Sequence, residues 1–228
     1  MENLLLNYFQ TRMDKERIFS NPETEYGPVV TITREYGCPG KTLADELVYR
    51  INREDPPTKW NWIDKEVLKI LARELKLSPS VIDDLQQFEE RKLSDYVALI
   101  FSSDCFPGDK KIKNTIAEII LTYAQQGHYV IVGRAGHFIT GHISRSYHVA
   151  LKAPLKWRIE HMSQHKNCSY SEAQKLVAEM SEKRQRFLSH FAKGKENRAF
   201  DSVFDCSEIS IDEMAEVILL DLKRMELI

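Results

Sequence analysis

Residues 28–42 read Pro28-Val29-Val30-Thr31-Ile32-Thr33-Arg34-Glu35-Tyr36-Gly37-Cys38-Pro39-Gly40-Lys41-Thr42, and this stretch decides the fold. The first six residues are a β-branched apolar run with the character of a buried strand. From Thr42 to Arg50 the period turns helical, so the segment is strand, turn, helix. The turn ends in Gly40-Lys41-Thr42, the second half of the phosphate-binding pattern G-x-x-x-x-G-K-[ST]. That chemistry needs inward-pointing N–H groups, an ammonium for the outer phosphates, a hydroxyl for magnesium and a helix N-terminus behind them. Gly37 and Gly40 supply the unusual backbone, Cys38 and Pro39 lie between them, Lys41 carries the charge and Thr42 the hydroxyl. The first glycine of the pattern is replaced by Glu35, which would repel phosphate unless a cation pairs with it. Arg34 is a poor partner, because neighbours on an extended strand point to opposite faces.

Working outward, the chain alternates strands and helices. A short strand, Trp60 to Ile63, meets a helix beginning near Asp64, whose carboxylate is placed to cap the helix or to touch a substrate. Trp60 and Trp62 share one strand face, a base-stacking platform or simply core. Residues 77–108 are charged, helical in patches, and read as an insertion. Ile112 to Gln126 is an amphipathic helix leading into the apolar strand Tyr129 to Val132. Further strands are predicted at Ser146 to Leu151 and Ser202 to Asp205, with helices after Pro154 through Met162, from about Ser171 to His190, and through Leu222. Five strands joined by helical crossovers predict an α/β domain over residues 28–228, with a parallel sheet covered on both faces. Residues 1–27 form an appendage whose apolar stripe (Leu4, Leu5, Tyr8, Phe9, Met13) packs on its own domain or makes a homodimer contact.

Composition excludes several classes. With 228 residues, 43% hydrophobic and 29% charged, the chain can bury a real core and is not disordered. Thirty-two basic against 34 acidic residues give a net charge of −2, so nucleic acid and anionic membrane are not expected partners. The four cysteines form no C-x-x-C pair, and no apolar run reaches membrane-spanning length, which together predict a reduced, cytoplasmic protein. His161 and His165 have i,i+4 spacing without the glutamate or third ligand of a zinc site.

Two more groups carry candidate chemistry. Val132-Gly133-Arg134-Ala135-Gly136-His137 places a glycine-flanked arginine at the carboxyl end of a buried strand, where open parallel sheets bind ligands. Arg134 reads as an anion clamp, and His137 lines that pocket or packs beside it. Glu182-Lys183-Arg184-Gln185-Arg186, with Arg158 on the preceding helix, is either a solvated face or the cationic lid that phosphoryl transfer requires. Cys38 is a small filler or a thiol acidified by the helix N-terminus and Lys41. Gly27, Gly108, Gly127, Gly141 and Gly194 read as ordinary loop punctuation.

Taken in order, these parts resemble the cytidylate kinase-like family of nucleoside monophosphate kinases. The resemblance rests on Ile32-Thr33-Arg34-Glu35-Tyr36-Gly37, on Ile63-Asp64-Lys65-Glu66-Val67, on Val132-Gly133-Arg134-Ala135-Gly136, on Ala153-Pro154-Leu155-Lys156-Trp157-Arg158-Ile159 and on Glu182-Lys183-Arg184. It implies ATP and Mg²⁺ as cofactors and CMP or dCMP, or another small-molecule acceptor, as substrate. Gly37, Cys38, Pro39, Gly40, Lys41 and Thr42 would hold the ATP phosphates, with Thr42 on the metal. Asp64, Arg134 and Gly136 would serve the acceptor, and Arg158, Lys183, Arg184 and Arg186 would close over the donor. Residues 77–108 would bind the acceptor and residues 165–195 form the lid. The residues leave open which of Arg184, Gln185 and Arg186 is the lid arginine. A rival reading is a nucleotide-binding regulator, motivated by Glu35 and Gln185.

Overall fold

A computed structural model describes residues 26–64, 117, 120–192 and 199–228, with side chains in the long helix described through Ser189. The expected amino-terminal helix, the 77–108 insertion and the helix after Asp64 lie outside these residues. The central strand is β1 (Val29–Arg34), and α1 (Gly40–Arg53) follows its turn. Then come β2 (Asn61–Ile63), a helical segment at 120–126, β3 (Tyr129–Val132) and α2 (Gly136–Thr140). β4 (Ser146–Lys152), α3 (Leu155–Lys166), α4 (Tyr170–Ala192), β5 (Ser202–Asp205) and α5 (Ile211–Arg224) complete the described chain.

The five strands form one sheet in the order β2-β3-β1-β4-β5, and every pairing is parallel. Val30 of β1 pairs with Val130 of β3 on one side and Tyr147 of β4 on the other, which sets β1 at the centre. Period-2 alternation then sends side chains into two cores. Val30, Ile32, Val130, Val132, Val149 and Leu151 pack with Leu43, Leu47 and Ile51 of α1 and with Ile218 and Leu222 of α5. On the opposite face, Val29, Tyr129 and Ile131 pack with Ile63, Ile120, Tyr123, Ile139 and Phe187. Each such fully buried aliphatic contributes about 1.5–3 kcal/mol relative to exposure. Because all strands run the same way, their carboxyl ends, with the turns after β1 and β3, share one edge of the sheet.

Several details depart from the sequence reading. Gly136–Thr140 is a short helix, a stretch to which the sequence reading assigned no element. α3 runs on to Lys166 and stops at Asn167 in the left-handed region (φ 51°). α5 starts with a capping box between Ser210 and Glu213. Gly27 and Gly127 are more than punctuation: a Cβ on Gly27 would lie 2.5 Å from Cα of Gly127, so the two backbones touch at the amino ends of β1 and β3. Trp60 is core, 1% exposed, whereas Trp62 donates Nε1–H to Asp45 at 2.5 Å.

Candidate active site

The turn after β1 is held from below. Glu35 accepts the N–H of Ala153 at 3.1 Å and lies 3.5 Å from Nε of Arg158. Arg158 donates from Nε to the carbonyl of Ala153 (3.0 Å) and from Nη1 to that of Tyr36 (3.3 Å). Here is the cation that Glu35 needed, and it also explains Gly37. That residue has φ +102°, and a Cβ there would sit 2.8 Å from Cβ of Arg158. Arg158 therefore lies beneath the loop, locked to its backbone, and is not among the residues lining the cavity above it.

That cavity has a volume of about 430 Å³, within the usual range for small-ligand sites. Its lining takes in the loop from Glu35 to Thr42, the turn Gly133 to Ala135, and the facing sides of α3 and α4. The cations Arg34, Lys41, Arg134, Lys166, Lys183 and Arg184 line it, with Glu35 as the lining carboxylate. Such an excess of positive charge in a partly desolvated concavity favours a polyanion.

The cations come from several elements. Lys41 is the second residue of α1 and its Nζ pairs with the buried Asp64 at 2.5 Å; the helix that Asp64 was expected to cap lies outside the described residues. Arg134 and Ala135 both hold left-handed backbone, φ 56° and 55°, which costs a non-glycine residue about 1 kcal/mol or more. The strained turn buries the Arg134 guanidinium, 6.0 Å from the Phe187 ring. Gly136, in contrast, packs behind the turn against Ile131 and Thr31 and does not line the cavity.

On α4 the structure separates the three lid candidates. Arg184 faces inward, donating Nη1–H to the carbonyl of Arg34 at 2.5 Å and lying 5.8 Å from the Tyr36 ring. Burial, with Arg34 next to it, pulls its pKa down to about 9. Gln185 and Arg186 are exposed, and Arg186 pairs with Glu182 on the outer face. Lys183 lines the cavity and pairs with Glu179. The site thus brings together Lys41, Arg134, Lys183 and Arg184 and leaves Arg186 outside.

Two readings that the sequence left open resolve toward packing. The Cys38 thiol is not acidified: a side-chain hydrogen bond with Cys206, then burial, hold it well above the usual range. His137 packs rather than lines the cavity. Its ring lies 3.8 Å from Phe138 and 4.8 Å from Phe200, Nδ1 meets Thr33 Oγ1 at 3.1 Å, and burial lowers its pKa to about 4. Sequence reasoning gave no role to Arg34, whose side chain enters the cavity between the two turns, or to His161 and His165, which also line it. Arg34 could have been found from its place at the carboxyl end of the central strand, where open parallel sheets bind ligands.

The donor set suits ATP with Mg²⁺. The cations and the N-terminus of α1 match phosphate oxygens. The Thr42 hydroxyl lines the same cavity, and Mg²⁺ takes few protein oxygens beside water and phosphates. Among the described residues no group of three or more acidic, histidine or cysteine ligands gathers to hold a metal alone, and no helix is long and apolar enough to cross a membrane.

A phosphate loop between a central parallel strand and a helix, in a β2-β3-β1-β4-β5 sheet, defines a P-loop kinase fold. The chain belongs to the cytidylate kinase-like family, whose model matches residues 29–208. A solved protein structure from Eubacterium ventriosum ATCC 27560 is similar, with a TM-score of 0.62 at 16% identity over 86% of this chain and 98% of that one. Shikimate kinase from Bacteroides thetaiotaomicron has a TM-score of 0.46 at 14% identity, covering 86% and 98% of the two chains. The Mycobacterium tuberculosis APS kinase CysC, in complex with AMPPNP and APS, has a TM-score of 0.43 at 13% identity over 87% and 99%. No curated protein matches in sequence.

Proposed function

We propose that the protein transfers the γ-phosphoryl group of ATP to a small phosphate monoester, with CMP and dCMP as the first candidates. The observation that carries this reading is the convergence of Lys41, Arg134 and Arg184, from three separate elements, on one cavity of about 430 Å³. Phosphoryl transfer asks a protein for positioning and positive charge rather than for a nucleophile, and this lining offers that. When bound, Mg²⁺-ATP would supply the phosphoryl group, and the metal, held through Thr42, would offset charge on the phosphates.

The chain's own residues divide the work. Gly37 to Gly40 and the α1 N-terminus orient the donor phosphates, and Thr42 presents its hydroxyl to the metal. Lys41 leaves Asp64 for the outer phosphates. Arg134, from the neighbouring strand end, holds the acceptor phosphate facing the donor. Arg184 and Lys183 close from α4 and exclude water, while Arg158 fixes the loop backbone from beneath. Arg34 stands between these groups. An ADP-release screen over CMP, dCMP, UMP, AMP, GMP and the plain nucleosides tests the reading. Turnover with a monophosphate is expected, and silence across the panel sinks it.

A further inference from the structure

Arg34 is the last residue of β1, and its side chain runs from the donor loop to the acceptor turn. A Cβ on Gly40 would lie 3.2 Å from Arg34 Cδ and 3.3 Å from its Cγ. A Cβ on Gly133 would lie 1.8 Å from its Nη1. One glycine from each phosphate turn therefore makes room for this one side chain, and its guanidinium lies against the backbone that precedes Arg134. Arg184 grips the same residue from the other side through its carbonyl oxygen.

Three guanidinium groups, those of Arg34, Arg134 and Arg184, are drawn close together and out of water. Burial and the nearby Arg134 lower the pKa of Arg34 to about 10, and Arg34 in turn lowers that of Arg184. Asp64 is the carboxylate that offsets this, and Asp64 already pairs with Lys41. Like charges brought out of water repel strongly unless an anion joins them.

Resting on the kinase reading, we propose that Arg34 joins Arg134 and Arg184 as a third arginine that binds the phosphoryl group while it passes between donor and acceptor. The guanidinium lies where the two turns meet, and its planar fork matches the equatorial oxygens over which the charge spreads. This would make Arg34 a catalytic residue contributed by the β1 end itself, in a chain whose loop lacks the first glycine.

The test compares the wild-type protein with Arg34→Met, of similar length, by calorimetry with Mg²⁺-ADP and CMP, with and without aluminium fluoride, a planar mimic of the transferring group. Expected for Arg34→Met are an unchanged or higher melting temperature without ligand and ADP affinity within about threefold of wild type. The fluoride-dependent gain should be lost, and kcat should fall roughly 10²–10³-fold, as when one transition-state donor is removed. Partial return of activity with added guanidinium ion is also expected. A variant that melts lower yet keeps the full fluoride-dependent gain marks Arg34 as a packing strut and overturns the proposal. If Arg34→Met does not fold, Arg34→Lys decides, since it keeps the charge but not the fork: an unchanged gain overturns the proposal, a lost gain upholds it. Failure of the kinase reading is separate, because wild type would then neither bind ADP nor release it from ATP.

Discussion

Glu35 and Arg158 lie 3.5 Å apart beneath the phosphate loop, and the same carboxylate accepts the N–H of Ala153. A carboxylate where the loop pattern has glycine is thus a tie between the β1 and β4 ends. Restoring the pattern with Glu35→Gly is expected to weaken the protein by about 1–2 kcal/mol, the usual cost of losing a charged hydrogen bond that is partly solvated. Glu35→Gln, which keeps an acceptor for Ala153, should fall between. Urea unfolding of the three proteins checks this, and a glycine variant as stable as wild type refutes it.

Lys41 and Asp64 form a second contact of interest, half-exposed on the lysine side, 2.5 Å between Nζ and Oδ2. Nucleotide must compete with Asp64 for the ammonium. Asp64→Asn removes the competing charge, so affinity for an unreactive ATP analogue should rise several-fold in titration calorimetry. Weaker binding by this variant would show that Asp64 helps hold the donor rather than restrains the lysine.

Arg184 and Arg186 are two residues apart on α4 and face opposite ways. Arg184→Met should lower kcat by about 10²-fold or more, as expected for a donor to developing charge. Arg186→Ala, which loses an exposed i,i+4 pair, should change stability by less than about 0.5 kcal/mol and activity hardly at all. Equal losses in the two variants would contradict this orientation.

His137 gives a pH signature. Its folded pKa near 4 lies below the unfolded value of about 6.5, so between those limits the unfolded chain binds the extra proton. Stability should therefore fall as pH drops from about 6.5 to 4, by something on the order of 3 kcal/mol from this group, and level off below. His137→Gln should have a flatter profile over that window in thermal unfolding. Parallel profiles for the two proteins would exclude the assignment.

Much of the architecture was legible because it rests on local patterns. Val29 to Thr33 and Tyr129 to Val132 are short apolar runs that only a covered parallel sheet can bury, and the five strands follow from them. Lys41 at a helix start and Arg134 at a strand end were likewise visible, each beside a glycine. What local pattern could not give was direction and distance. Arg158 and Arg184 look alike in sequence, yet one is bonded to the loop from below and the other enters from above. The Lys41–Asp64 pair joins residues 23 apart through a strand whose contribution is three residues long. The α2 helix, five residues opening on glycine, is too short for periodicity to reveal.

The touching backbones of Gly27 and Gly127 have a consequence for how variants of this protein should be sorted. They sit at the amino edge of the sheet, one strand length from the cavity, about 20 Å for the six residues of β1. Substitutions there act on whether β1 and β3 zip together at all, not on the groups at their other ends. A population carrying such changes would show altered yield of folded protein with an ordinary KM in the fraction that folds, whereas changes at Thr42, exposed on the first turn of α1, would show full yield and failed turnover. One sheet, read from its two edges, separates supply from rate.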